Sequence, residues 1–314
     1  MSFGLVVQVL IAGLAAGAVY GLVAIGFTLV WRLTSVLYLA YGSIVGGSLF
    51  LALLIAAGTS PVTSSNVGTA RYLLAVFVTL IASGVAGSFM YLAVLRPFLA
   101  RGSALGWIGA TVGIAFAIQG ALQAAFSREA YVLPDPLPFS RWRPIGLPGG
   151  SNVQWRTLWV LAVGLVLAGV AGYILTRTRF GVAVSAVASE PLGAQIVGLP
   201  VARLTTIAFA LAGVMAAAAG LIGGPSGGTV NPETGLLLGL KAIAAALLAR
   251  FGPPGRVFGA ALFLGVFEAA AVSLHVPGFP SLGLGPAWRN VAPLGLALIV
   301  IAVRSAGLMR EPVE

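Results

Sequence analysis

The sequence contains no cysteine and a single histidine, His275, in 314 residues. The first absence excludes disulfides, thiolate metal sites and cysteine nucleophiles, and the second excludes metal sites built from several histidines. Charged side chains are scarce as well, at 8% of residues against about 25% in soluble proteins. Hydrophobic residues reach 59%. So few charges cannot cover a soluble surface, and the composition predicts an all-α protein that crosses a membrane several times.

The excess of basic residues does not indicate nucleic acid. The net charge is +10, but the arginines stand singly or in pairs between apolar runs, as basic residues do at the cytoplasmic ends of membrane helices. Lys241 is the one lysine, and it does not lie in a nucleotide-binding P-loop. The sequence offers no catalytic cluster, no metal site and no cofactor motif. It therefore predicts a protein that is not an enzyme and that depends on other subunits for any ATP-driven work.

Long stretches without charge predict the number of membrane spans. A helix needs about 20 residues to cross a bilayer core of about 30 Å. About nine stretches meet this requirement, and eight or ten spans remain alternatives because Arg289 lies near the start of the last one. The predicted spans are 6–31, 35–57, 72–95, 105–127, 157–176, 204–224, 234–250, 257–275 and 287–303. Residues 1–314 then form a single transmembrane domain.

The distribution of arginines predicts the orientation. No positive charge precedes Arg32, so the charged start of a signal peptide is missing. With the N-terminus outside and the C-terminus in the cytoplasm, ten of the 17 basic residues lie inside, in agreement with the positive-inside rule. Segment 128–156 is then an outer loop rich in proline. Segment 177–203 is a cytoplasmic loop with a short helix between Phe180 and Val197, broken at Gly181 and Pro191 and closed by Gly198 and Pro200.

Two groups of residues within the spans draw attention. Gly13, Gly17 and Gly21 are spaced four apart, which predicts tight packing of the first helix rather than contact with a solute. Lys241 and Glu268 are the charged residues well inside predicted spans. Lys241 lies seven residues after the outer boundary at Thr234, and Glu268 lies seven residues before the outer boundary at His275. At 1.5 Å per residue both lie roughly 10 Å deep, so we expect them to interact. The polar side chains Gln8, Gln119 and Asn231 are expected to bond between helices, with contact to a solute as the alternative.

Several motifs, in order along nearly the whole chain, resemble the permeases of branched-chain amino acid ABC transporters. They are 20–30 (YGLVAIGFTLV), Arg96-Pro97 with 102–105 (GSAL), 110–113 (ATVG), 118–120 (IQG), 179–181 (RFG), 188–191 (ASEP), Asn231-Pro232, 239–242 (GLKA), Pro254-Gly255 and Gly307-Leu308. The chain departs from the family at 38–42 (YLAYG), at Ser189 before the acidic residue, and at Ala249-Arg250, where a Gly-Gly pair is usual.

The resemblance implies a permease subunit of an ABC importer in the cytoplasmic (inner) membrane. It implies three kinds of partner: a second permease subunit (a homologue or a second copy), two cytosolic ATP-binding subunits and an extracytoplasmic substrate-binding protein. The residues expected to couple the permease to the ATPase are Glu190, Pro191, Ala194, Gly198 and Arg203. Those expected along the pathway are Lys241, Glu268 and Gln119. The expected cargo is a branched-chain or other small neutral amino acid. Urea or a short amide, or ion-coupled secondary transport, are alternatives.

Overall fold

The computed structural model describes residues 3–57, 68–100, 104–126, 131, 142–147, 151–226, 230–273 and 288–308. Within these ranges the protein is almost entirely helical. The elements are α1 (Phe3–Thr34), α2 (Tyr41–Ala57), α3 (Thr69–Phe89), a π-helix (Met90–Leu95), α4 (Arg96–Ala100), α5 (Ala104–Phe126), β1 (Ile145–Leu147), β2 (Ser151–Val153), α6 (Trp155–Arg177), α7 (Arg179–Ser189), α8 (Pro191–Ile196), α9 (Val201–Ser226), α10 (Thr234–Leu248), α11 (Pro254–Ser273) and α12 (Trp288–Leu308).

Helix α1 is the centre of the bundle. Nearly every side chain from Ala15 to Val30 is buried, and α1 packs on α6, α9, α10 and α11. A helix that is apolar all round is expected to be enclosed by other helices or by lipid. Here its middle and C-terminal half are enclosed by protein, so α1 sets the positions of the helices around it.

Six described helical stretches are long and apolar enough to cross a membrane: Phe3–Thr34, Ala70–Phe98, Gly106–Phe126, Trp155–Arg177, Val201–Gly224 and Pro254–Ser273. Tyr41–Ala56, Thr234–Leu248 and Asn290–Val300 are shorter apolar helices. All of them fall on the stretches predicted from the sequence. The predicted start of the second span at residue 35 is wrong, because the chain reverses at Ser35, which has a φ of 52°, and α2 begins only at Tyr41.

The glycines of α1 lie at its contact with α11. The helices are antiparallel, since Gly13 lies beside Val266 and Gly17 beside Leu262. A Cβ added to either glycine would come within 2.6 Å of a Cα of α11, closer than any real contact. The spacing of small residues therefore allows the two backbones to touch, as small residues do in membrane helix pairs.

Glycines also bring α2 and α10 together. Gly42 lies against Gly239, and Gly46 lies against Gly235, so these helices are antiparallel as well. A Cβ on Gly239 would lie 2.6 Å from the Cα of Gly42. A Cβ on Gly42, Gly235 or Gly239 would come within 3.0 Å of the facing backbone and would push the helices apart, whereas a Cβ on Gly46 would make an ordinary contact at 3.4 Å.

The third apolar stretch is interrupted by one wide turn. After α3 the chain forms the π-helix Met90–Leu95, and the amide of Arg96 donates to the carbonyl of Tyr91, five residues back. Pro97 follows within α4. A proline has no amide hydrogen and its ring collides with the carbonyl four residues earlier, here that of Ala93. The wider turn removes this collision and lets the helix continue past the proline.

The proline-rich segment 128–156 is partly described. The antiparallel strands β1 and β2 form a small hairpin in it, which the prediction of an all-α protein did not include. Tyr131 pairs with Val230 through two backbone hydrogen bonds of 3.0 and 2.7 Å. The segment is therefore tied to the connection between α9 and α10. His275, expected at an outer boundary, lies outside the described residues.

Candidate functional site

Lys241 and Glu268 form an ion pair in the interior of the bundle. The Nζ of Lys241, on α10, lies 2.9 Å from Oε1 of Glu268, on α11. The two residues are only 4% and 3% exposed. The structure thus brings together the two charges that their depths in the sequence predicted to be neighbours. A charge at such depth is costly alone and is tolerated when a partner neutralises it.

Tyr20 of α1 completes this cluster. Its hydroxyl donates to Oε2 of Glu268 at 2.9 Å and accepts from Nζ of Lys241 at 3.3 Å. The ammonium group also lies 5.2 Å from the centre of the Tyr20 ring, within the range of a cation–π contact. The three side chains connect α1, α10 and α11. Tyr20 was not predicted to belong to the site. The signal in the sequence is a polar hydroxyl within a charge-free run of Ala, Gly, Val and Leu.

A cavity of about 390 Å³ adjoins the carboxylate of Glu268. It lies between α1 and α11 where the two helices diverge, toward the N-terminus of α1. Its polar lining comes from Gln8, Glu268 and Ser273, and the rest of its wall is Leu5, Val9, Ala12, Ala16, Gly265, Ala269 and Val272. Lys241 and Tyr20 do not line it. The cavity therefore borders Glu268, the anionic member of the cluster, and does not border Lys241, the cationic member.

Segment 179–196 forms two helices where the sequence predicted one interrupted helix. Thr178 caps α7 by accepting a hydrogen bond from the amide of Gly181 at 3.2 Å. Gly181 lies inside α7 against the backbone of Leu175, so the predicted break there is wrong: its missing side chain allows α7 to fold back onto α6. The predicted break at Pro191 is present, because Glu190 has extended backbone and Pro191 begins α8.

Helix α8 ends where the sequence predicted, just before Gly198. Gly198 has a φ of 86°, which glycine adopts without strain. The amide of Leu199 donates to the carbonyl of Ala194 at 2.9 Å, which is the closing bond of a Schellman motif. Ala194 is buried, whereas Glu190, Pro191 and Arg203 are exposed. The side chain of Glu190 makes no capping hydrogen bond to α8, although it lies close to Gly193 of that helix.

α8 presents an exposed apolar surface. Leu192, Ile196 and Val197 are 69%, 87% and 82% exposed. We call these three residues the α8 patch. They stand next to the exposed polar side chains of Glu190 and Gln195. Such a patch beside polar residues is typical of a surface that binds another protein.

The α7 helix, the C-terminal end of α1 and the turn between α10 and α11 lie at one end of the bundle. Arg32, Ser185, Ala188 and Gly252 line one small cleft there. In the same turn the ring of Phe251 stacks on Trp31, with ring centres 3.9 Å apart. Arg250 and Phe251 both have positive φ, 54° and 50°. Arg250 is the second residue of the Ala249-Arg250 pair, where the family resemblance leads us to expect glycines. The stack on Trp31 holds a turn whose backbone favours glycine.

Gln119, predicted with the pathway residues, lies apart from the ion pair. It is half-buried on α5, which packs mainly against α2. The structure therefore unites Lys241 and Glu268 with Tyr20 and leaves Gln119 on another part of the bundle. Among the described residues no cluster of three or more potential metal ligands is present.

Comparison with known proteins identifies relatives along the whole chain. It is 25% identical over 307 residues to the high-affinity branched-chain amino acid transport system permease protein BraD of Pseudomonas aeruginosa, covering 97% of this chain and 96% of BraD. It is 26% identical over 312 residues to the corresponding protein LivH of Escherichia coli, with the same coverage. A shorter match, 35% over 158 residues, links 49% of this chain to 42% of the autoinducer 2 import system permease protein LsrC of Klebsiella pneumoniae.

No solved structure matches the chain. The family described as branched-chain amino acid transport system / permease component matches residues 9–302. Together with the six helices able to cross a membrane, this match makes the protein a transport subunit of the cytoplasmic membrane rather than an enzyme. The chain belongs to the family of permease components of branched-chain amino acid transport systems.

Proposed function

We propose that this protein is the membrane-spanning permease of an ABC importer for branched-chain or other small neutral amino acids. The family match supports a permease of this type, and the relatives BraD and LivH are named for high-affinity transport of branched-chain amino acids. The observation that carries the proposal is the exposed α8 patch. It offers a surface for a separate ATP-binding subunit, which the chain needs because it has no P-loop of its own.

The proposed topology has nine spans, with the N-terminus outside and the C-terminus in the cytoplasm. The six long helices are joined by α2, α10 and α12. At 1.5 Å per residue the 15 residues of α10 extend about 22 Å, which crosses most of a core of about 30 Å. The antiparallel pairs α1–α11 and α2–α10 agree with this alternation. The end of the bundle that holds Arg32, α7 and α8 is then cytoplasmic, and the loop 128–156 is outside.

The proposed contact with the ATPase is made by the cytoplasmic loop 177–203. Leu192, Ile196 and Val197 supply apolar area for burial, and Glu190 and Arg203 lie on the exposed surface around them. Pro191, Ala194 and Gly198 determine the shape of α8. Because α7 and the α10–α11 turn line the same cleft, movement of α7–α8 would reach the helices that carry Lys241 and Glu268. This is the proposed route from ATP binding to the membrane interior.

The complete transporter would contain three further kinds of subunit contact. The permease would pair with a second permease subunit, either a homologue or another copy, within the lipid bilayer. Each permease would bind one cytosolic ATP-binding subunit at α7–α8. An extracytoplasmic binding protein would deliver the amino acid to the outer face.

Uptake into proteoliposomes tests this function. The permease is reconstituted with its ATP-binding subunits and binding protein, and entry of labelled L-leucine is followed with and without ATP on the cytoplasmic side. Uptake should require ATP and persist when ionophores dissipate ion gradients. Ile196→Glu should lower leucine-stimulated ATPase activity and uptake at least about tenfold, because a buried interface residue typically contributes 1–2 kcal/mol or more. Ile196→Val is the matched control and should retain both.

Two results would contradict the proposal. Leucine uptake that follows an imposed ion gradient and ignores ATP would show secondary transport. Full coupling in Ile196→Glu would show that the ATPase binds elsewhere. Urea and acetamide, included in the same assay, distinguish an amide permease from an amino acid permease.

A further inference from the structure

The cavity beside Glu268 has the features of a site for an organic ammonium group. We infer that it binds the α-ammonium of an amino acid with an apolar side chain, an inference that rests on the proposed transport of amino acids and assigns a site for it. Three observations support it: the charge that faces the cavity, the apolar wall opposite, and the cavity's size.

The charge facing the cavity is negative. Glu268 lines the cavity, and Lys241 and Tyr20 do not. Both carboxylate oxygens are bonded inside the cluster, Oε1 to Nζ of Lys241 at 2.9 Å and Oε2 to the Tyr20 hydroxyl at 2.9 Å, and the balancing cation, Lys241, is not part of the cavity lining. A pair of opposite charges seen from its anionic end attracts cations at short range, and the apolar walls raise that attraction by excluding high-dielectric solvent. An ammonium group is a small organic cation that the Glu268 carboxylate would attract.

The remaining polar groups are arranged for a zwitterion. Gln8 on α1 and Ser273 on α11 line the cavity with Glu268. The amide of Gln8 has two N–H donors, which suit a carboxylate.

The apolar wall and the size agree with an aliphatic side chain. Leu5, Val9, Ala12 and Val272 supply methyl groups on both helices. The volume of about 390 Å³ falls within the range of about 300–1,000 Å³ that is common for small-molecule sites. An amino acid with a short aliphatic side chain fits within this volume, whereas a large anion would face the Glu268 carboxylate.

The absence of cysteine from the chain makes a direct test available. Ala269→Cys places the single thiol of the protein in the cavity. Ala270→Cys places it one residue away in an adjoining groove, which shares Leu5, Val9 and Ser273 with the cavity but is not lined by Glu268 or Gln8. Both alanines are half-buried on α11, so the pair is matched. Each full-length variant is purified into lipid nanodiscs and treated with trimethylammonium-ethyl or sulfonato-ethyl methanethiosulfonate, which carry opposite charges. Labelling rates are measured by mass spectrometry.

The expected result has two parts. The cationic reagent should label Ala269→Cys about tenfold faster than the anionic reagent, since local potentials concentrate ions by at least this factor. At Ala270→Cys the two rates should be equal after correction for intrinsic reactivity. Millimolar L-leucine and isoamylamine should protect Ala269→Cys, whereas 4-methylpentanoate, which lacks the ammonium group, should not.

The origin of the preference is tested by adding the double change Lys241→Met and Glu268→Gln to Ala269→Cys. This combination removes both charges together, so no unpaired charge is left in the interior, and the preference for the cationic reagent should disappear. Protection by the ligands needs no change at the pair, so it still decides the matter if that variant does not fold.

Each other outcome overturns the inference. Equal rates at Ala269→Cys, or no labelling there, would show that the cavity attracts no cation. A charge preference without protection by leucine would show a hydrated cavity that holds no amino acid. Labelling requires neither ATP nor partner subunits, so its failure leaves ATP-driven leucine uptake intact, and failure of that uptake leaves the labelling result unaffected.

Discussion

Removing one charge from the Lys241–Glu268 pair should destabilise the protein far more than removing both. At 2.9 Å and an effective dielectric constant of about 20, the Coulomb attraction is about 6 kcal/mol. Desolvation of two charges that are 4% and 3% exposed consumes several kcal/mol per ion. The net contribution of the intact pair to the free energy of unfolding is therefore small. When one residue of the pair is replaced, the remaining charge keeps its desolvation penalty and loses the attraction.

The corresponding experiment is a double-mutant cycle with Lys241→Met and Glu268→Gln. Each single change should lower the free energy of unfolding by about 3–5 kcal/mol, measured by denaturation with sodium dodecyl sulfate in mixed micelles. The double variant should return to within about 1 kcal/mol of the original protein. The Tyr20 hydroxyl can still donate to the new amide oxygen, which limits the loss in the double variant.

Exposed charges provide the control. Arg203→Met and Glu190→Gln remove charges from exposed positions and should change the free energy of unfolding by no more than about 0.5 kcal/mol. If the two interior changes are harmless, or if they add without coupling within about 0.5 kcal/mol, the reasoning about the pair is refuted.

Two further predictions concern packing and hydrogen bonding. Gly17→Ala should destabilise the α1–α11 contact by about 1–3 kcal/mol, since its Cβ would meet the Cα of Leu262 at 2.6 Å. Gly113→Ala, with no atom within 4 Å, should be neutral or stabilise by up to about 1 kcal/mol; equal effects in thermal unfolding would refute the packing argument. Tyr38→Phe should not lower stability, because its buried hydroxyl has no partner among the described residues, whereas Tyr41→Phe should lose about 1 kcal/mol with its 2.7 Å bond to the Ala212 carbonyl. A larger loss in Tyr38→Phe would reveal a partner for that hydroxyl.

Much of the helical framework was predictable because in a membrane protein charge and proline mark where helices end. Arg32, Arg177 and Gly198 mark such ends in the sequence, and the helices stop within a few residues of them. The pairing of Lys241 with Glu268 was predictable for a related reason. Depth along two antiparallel helices follows from counting residues, and the penalty for an isolated interior charge requires a partner at equal depth.

Features that depend on rotation about a helix axis were not predictable. Tyr20 reaches Glu268 only because of the direction in which α1 presents it, and a helix with apolar residues on all sides gives no periodic signal for that direction. The reversal at Ser35 was missed for another reason. Its positive φ occurs at a residue other than glycine, so no local preference in the sequence marks the position.

Gly181 shows that a glycine in a helical sequence can have either of two roles: it can end the helix, or it can allow close packing against a neighbouring backbone. It was predicted to break a helix, but it permits contact with the backbone of Leu175. The distinction depends on what lies next to the residue in space, which the local sequence does not contain. Gly198, whose own φ is positive and which ends α8 in a hydrogen-bonded Schellman motif, is the kind of glycine whose role the local sequence identifies correctly.

The π-helix Met90–Leu95 also determines the direction in which each later side chain of the same helical stretch points. An α-helix advances about 100° per residue, so the one additional residue in a wide turn rotates α4 by roughly that angle relative to α3. Leu95, which is fully buried, and the arginine after it therefore face directions that a regular helix would not give them. Deletion of a single residue between Met90 and Val94 would regularise the turn and bring the ring of Pro97 back onto a carbonyl, but Leu95 would keep its direction because the chain would reach it one residue earlier. A regular helix through the unchanged sequence would instead turn Leu95 out of the core.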